Sequence, residues 1–125
     1  IKQDNMEKNL FVAAKIAAQT KNIEKNFLLG CLALRKDGTY VYSINETVIQ
    51  EKTPSAHAEA RALRKAGHGS TLWVARILKN GDWAMAKPCR HCSSLIENKK
   101  VGKVYYTIGP GEYGVWVPKS KTDVI

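Results

Sequence analysis

His57 and Glu59 stand two residues apart in "PSAHAEARALRKAG", residues 54–67. Further along, "KPCRHC" holds Cys89 and Cys92 three apart. One imidazole and two thiolates make a soft N/S ligand set, which suits Zn²⁺ better than Ca²⁺ or Mg²⁺. Structural zinc sites normally use four protein ligands, whereas catalytic ones use three and keep a position for water. His57, Cys89 and Cys92 supply three, so the count favours catalysis. Zinc lowers the pKa of a bound water towards about 7. A carboxylate at Glu59 can then move one proton between nucleophile and leaving group without binding metal itself.

These side chains need particular elements to hold them. Residues i and i+2 of an ideal helix point apart. His57 and Glu59 therefore converge only if a helix begins at about His57, and "TPS" with Pro54 just upstream favours a start there. Cys89 and Cys92 belong to a second helix, "CRHCSSLIENKK", with Pro88 at its entrance. Both sulfurs can reach one ion from that helix start, and its positive end favours the thiolate form. His91 lies between the cysteines and should point away from them.

The rest of the chain reads as alternating helices and strands. Residues 4–20 place apolar side chains at helical spacing. "FLLGCLALRKDGTYVYSIN" gives two strands around a "KDG" turn. The "HAE" helix closes at Gly67, with Arg64 and Lys65 near its negative end. "TLWVARIL" is a third strand, "KNGD" turns the chain into a short "WAMA" strand, and "KVYYTI" is a last strand. The tail "GPGEYGVWVPKSKTDVI" yields no clear element. The order α-β-β-α-β-(β)-α-β predicts a three-layer α-β-α sandwich: a mixed sheet of four to five strands with helices on both faces. Residues 1–125 are expected to form one domain.

H-x-E followed by P-C-x-x-C is the signature of zinc nucleobase deaminases. With "HAE" at 57–59 and "PCRHC" at 88–92, the sequence resembles the cytidine deaminase superfamily. "TPSAHAEARALRKAG" is similar to the matching helix of tRNA adenosine deaminases and of cytidylate and deoxycytidylate deaminases. The superfamily's order of elements fits residues 4–107. The resemblance implies that His57, Cys89 and Cys92 hold Zn²⁺ and that Glu59 carries protons. It also implies that Asn45, at the end of the second strand, contacts the substrate sugar. Ala58 and Pro88, beside the ligands, join Asn45 as expected substrate-binding residues, and the N–H groups of Ala58 and Cys89 are suited to hold the base. Dimers or tetramers are common among such enzymes. Two departures stand out. "ARILKNGDWAMAK" intervenes before the cysteine motif, with Lys87 where a glutamate is common. An inserted hairpin over 76–87 is expected to bring Arg76 or Trp83 to the site mouth. The tail replaces the terminal helices that often complete the fold, and Trp83, Tyr113 or Trp116 could stack on a base if it folds over the site.

Composition sets the remaining bounds. The chain has 125 residues, 44% hydrophobic and 25% charged, as in ordinary globular proteins. No apolar run approaches the roughly 18 residues of a membrane span, and no signal-peptide pattern opens the chain. An odd count of three cysteines argues against a disulfide framework. An intracellular, cytoplasmic protein is expected, with no membrane partner and with Cys31 as a core thiol. A net charge of +9 leaves nucleic acid open as a partner beside a small nucleoside or nucleotide. The leading expectation is hydrolytic deamination of cytosine in a nucleoside or nucleotide. A deaminase editing adenosine or cytosine in a polynucleotide is the alternative. A zinc-stabilised nucleic-acid-binding module without catalysis is the rival from another class, and it leaves Glu59 and the three-ligand count without a role.

Overall fold

A computed structural model describes residues 2–19, 27–44, 58–78, 80–88 and 90–118. The elements in chain order are α1 (Lys2–Ala18), β1 (Phe27–Leu34), β2 (Tyr40–Ile44), α2 (Ala58–Ala66), β3 (Thr71–Leu78), β4 (Trp83–Ala84), α3 (Arg90–Asn98), β5 (Lys103–Gly109) and β6 (Glu112–Trp116). The sheet has six strands in the order β2-β1-β3-β5-β6, with β4 also paired to β3. β6 comes from the tail, where glycines and a proline conceal a strand. Gly109 pairs with Glu112 around a tight turn, and Gly114 lies beneath the ring of Tyr106, which leaves no room for a Cβ.

Strand direction explains the layers. β1 is antiparallel to both β2 and β3, and β3 is parallel to β5. β2, β3 and β5 therefore all run the same way. The connections β2–α2–β3 and β3–α3–β5 cross the sheet in the same direction, so right-handed crossovers put α2 and α3 on one face. The packing agrees. Ala62, Leu63 and Ala66 of α2 and Ile96 of α3 share a buried cluster with Leu29, Cys31, Leu72, Val74 and Val104. The opposite strand face, with Leu32, Trp73, Ala75 and Tyr105, packs on Leu10, Ala13 and Ile16 of α1. This is the expected three-layer sandwich, with one strand more than the sequence patterns indicate.

α1 meets the sheet closely at Gly30. A Cβ there would lie 2.5 Å from the carbonyl oxygen of Ala13 and 2.6 Å from the nitrogen of Ala17. The small residues on the helix and the glycine on the strand allow this backbone approach. The Cys31 side chain is buried as expected, and Trp73 is buried on the α1 side of the sheet.

Candidate active site

Two helices on one face, each entered from the C-terminal end of a parallel strand, must both begin at that end of the sheet. α2 starts at Ala58, the residue after His57, and α3 starts at Arg90, the residue after Cys89. The two helices are in contact and share a buried core that includes Leu63 and Ile96. The topology thus brings the "HAE" and "PCxxC" segments to neighbouring helix starts. Helix N-termini carry partial positive charge, which favours thiolates and anions.

Among the expected site residues, Glu59 is placed as the second residue of α2, after Ala58. Cys92 is the third residue of α3 and wholly buried. Pro88 is buried at the entrance to α3. Asn45, His57 and Cys89 lie outside the described residues. Among the described residues no group of three His, Cys, Asp or Glu side chains converges to hold a metal. Cys92 nevertheless fits a soft-metal ligand: it is a buried thiol on the first turn of the helix that Pro88 and Cys89 lead into. The donor types available at the two helix starts are those zinc takes.

Several contacts hold these helix starts in place. The Arg61 guanidinium, one turn into α2, donates to the Ile44 carbonyl at 2.8 Å. This ties the beginning of α2 to the last residue of β2, across the connection that contains His57. Lys65 donates to the Tyr42 carbonyl at 3.0 Å one helical turn later. On the α3 side, Ser93 Oγ donates to the Pro88 carbonyl at 3.3 Å.

The expected hairpin before the cysteine motif is present. The Leu78 N–H donates to the Asp82 carbonyl at 2.8 Å, and Gly81 takes a φ of 95° in the turn. β4 then enters a fork. β3 and β5 pair only from Thr71–Lys103 to Val74–Tyr106, and beyond that point β4 takes the place beside β3 at Arg76 and Ile77. Thr107, fully buried, closes the fork. Its hydroxyl donates to the Ala84 carbonyl at 2.7 Å and accepts from the Arg76 N–H at 3.1 Å, while its carbonyl accepts from the Ala86 N–H at 2.9 Å. The chain reaching Pro88 is thereby sewn to the sheet.

Strand alternation separates the two hairpin residues expected at the mouth. Leu72 and Val74 face α2 and α3, so Arg76 follows on that side, where its guanidinium donates to the Met85 carbonyl at 3.5 Å. Trp83 instead packs with the α1-side cluster, its ring 5.1 Å from that of Phe11. Tyr113 also joins the α1 side, and Trp116 packs on the α2–α3 side. Trp83 and Tyr113 thus sit across the sheet from the helix starts, which corrects the expectation of Trp83 at the mouth and leaves Trp116 as the one of the three aromatics on the side of the site. Arg61 and Thr107 are contributors that sequence reasoning missed. Their only signals were an arginine one turn after His57 and a hydroxyl within the apolar run "KVYYTI".

A three-layer α-β-α domain with these motifs at adjacent helix starts has the architecture of a nucleobase deaminase. Residues 4–108 match the family model described as the cytidine and deoxycytidylate deaminase zinc-binding region, and the chain belongs to that family. No curated protein sequence matches it significantly. Among solved structures it is similar to a cytidine deaminase from Burkholderia pseudomallei, at 18% identity over 89% of this chain and 91% of that one, with a TM-score of 0.64. It is similar to a dCMP deaminase from the cyanophage S-TIM5, at 22% identity over 85% and 84%, with a TM-score of 0.60. A cytidine deaminase from Mycobacterium leprae shares 22% identity over 85% and 88%, with a TM-score of 0.56. At these identities the likeness is one of fold. Among the described residues no helix is long and apolar enough to cross a membrane.

Proposed function

We propose that this chain is a zinc-dependent hydrolytic deaminase of cytosine in a nucleoside or nucleotide. The observation that carries the reading is the start of α2 and α3 side by side at one end of the sheet, with "HAE" and "PCxxC" at those starts. His57, Cys89 and Cys92 hold the zinc. When bound, the metal supplies the Lewis acidity that brings water near its ionisation at neutral pH. Glu59 takes the proton that the attacking water loses as its oxygen bonds to the ring carbon bearing the amine. It passes that proton to the ring nitrogen, then takes the second proton from the same oxygen as the C=O bond forms and gives it to the amine, whose C–N bond breaks. One water is consumed and one ammonia released. Asn45 orients the sugar, Pro88 lines the base pocket, and the Ala58 and Cys89 N–H groups hold the base. Residues 1–125 act as one domain, in an oligomer of two or four copies inside the cell.

The names of the similar structures, cytidine deaminases and a dCMP deaminase, support cytosine as the base. The test is ammonia release from matched cytosine and adenine nucleosides, nucleotides and single-stranded oligonucleotides. Turnover of free cytidine, deoxycytidine or dCMP above the polymeric substrates is the expected result. Turnover confined to oligonucleotides would replace this reading with polynucleotide editing, and no turnover of any cytosine substrate would remove it.

A further inference from the structure

The end of the sheet opposite the helix starts carries a dense positive charge that deamination of a small substrate does not use. Three segments meet there. The β1–β2 turn brings Arg35 and Lys36, the last turn of α2 brings Arg64 and Lys65, and the α3–β5 loop with the first residue of β5 brings Lys99, Lys100 and Lys103. They are locked together: the Gly69 N–H donates to the Lys99 carbonyl at 3.1 Å, and the Gly102 N–H donates to the Ser70 carbonyl at 3.0 Å. The Lys36 side chain passes 3.5 Å from where a Cβ of Gly69 would be, and strand register sets Leu34 beside Thr71 and Thr71 beside Lys103. Only Asp37 and Glu97 bring negative charge within segments 34–39, 64–71 and 97–103. The Asp37 carboxylate accepts from the Thr39 hydroxyl and N–H in its own turn, at 2.6 and 3.0 Å.

Part of this charge answers the negative ends of α2 and α3. Arg35, Lys36 and Lys103 lie on a turn and strand ends, and they add charge beyond that need. Lys100 occupies the left-handed residue of a Schellman motif, with φ at 54° and the Val101 N–H donating to the Ile96 carbonyl at 3.2 Å. Glycine is the unstrained residue there, so a cation is kept against a local rule. Two large aromatic side chains flank the same end on β2: Tyr40 is 53% exposed and Tyr42 57% exposed.

We infer that this basic end, with Tyr40 and Tyr42, binds single-stranded nucleic acid at a surface separate from the deaminase site. Cations track the phosphates, and exposed rings offer stacking planes to bases. The two half-exposed tyrosines on β2 at this end favour a single strand over a lipid surface, which needs larger apolar side chains to insert.

The test is fluorescence anisotropy with a labelled oligothymidylate of about 20 nucleotides, which carries no amine to deaminate. The full chain should bind it, and affinity should fall with salt by about 0.7 log unit per log unit for each phosphate engaged. Replacing Lys36, Lys100 and Lys103 together by Gln should weaken binding at least about tenfold and reduce the salt slope by about 2. Tyr40→Ser with Tyr42→Ser, which leaves the cations in place, should weaken binding at least about fivefold at an unchanged slope. Ammonia release from free cytosine nucleosides should stay at the wild-type level in both variants. Failure of the wild-type chain to bind, wild-type affinity in either variant, or binding only to phosphatidylserine vesicles would overturn the inference. None of those results bears on the deaminase reading, which stands or falls on ammonia release alone.

Discussion

Arg61 and Thr107 show how much of the site rests on residues that take no part in the chemistry. Arg61 reaches a carbonyl 17 positions away, at the end of β2, and so fixes where α2 starts. Replacing it by Ala should lower deaminase turnover on the order of tenfold, because small displacements of reacting groups are costly. Arg61→Lys should recover part of that turnover, since the longer reach to the Ile44 carbonyl is retained. Thr107 bonds to Ala84 and Arg76, 23 and 31 positions away. Thr107→Val keeps the shape and strips both bonds from the half-buried backbone of Ala84 and Arg76. Denaturant titration should show a loss of about 1–3 kcal/mol. His57, Glu59, Cys89 and Cys92 could be proposed from the sequence because the chemistry expected of them sits at short fixed spacings. Arg61 and Thr107 could not, because their partners are distant in the chain and ordinary in type.

At the scale of elements, the α1–β1 contact is the least tolerant of change. Gly30 faces helix backbone, which cannot swing aside as a side chain can. Gly30→Ala should destabilise the chain by about 2 kcal/mol or more, read as a lower melting temperature. α1, α2, α3 and the strands β1, β2, β3 and β5 were legible because each shows its own period of apolar residues. β6 was not. Its turn glycines read as loop, and the space at Gly114 is filled by Tyr106, a residue of the neighbouring strand. The hairpin was legible from Asn80-Gly81, but its insertion between β3 and β5 depends on a fork that no local pattern announces.

For the whole molecule, two same-direction crossovers decide where chemistry can occur. They put α2 and α3 on one face and both helix starts at one end, with α1, among the described residues, alone on the other face. That arrangement also buries Tyr105 between α1 and the sheet, its ring stacked 5.6 Å from that of Trp73. Burial, followed by the nearby Tyr113, raises the Tyr105 hydroxyl above its ordinary pKa of 10.0. A raised folded value stabilises the fold below the unfolded pKa, and the contribution is lost as pH rises through the folded value. Melting temperature should therefore fall from about pH 10 upward, and Tyr105→Phe should flatten that fall.

The central claim is that Glu59 moves the proton while other residues hold the metal. Its most direct measurement is made on Glu59→Gln, purified beside the unaltered chain and assayed for bound zinc and for ammonia release from the best cytosine substrate. Retention of about one zinc per chain with turnover reduced at least about a thousandfold is the predicted result. Full turnover in that variant would contradict the account, because the carboxylate would then have no part in the reaction.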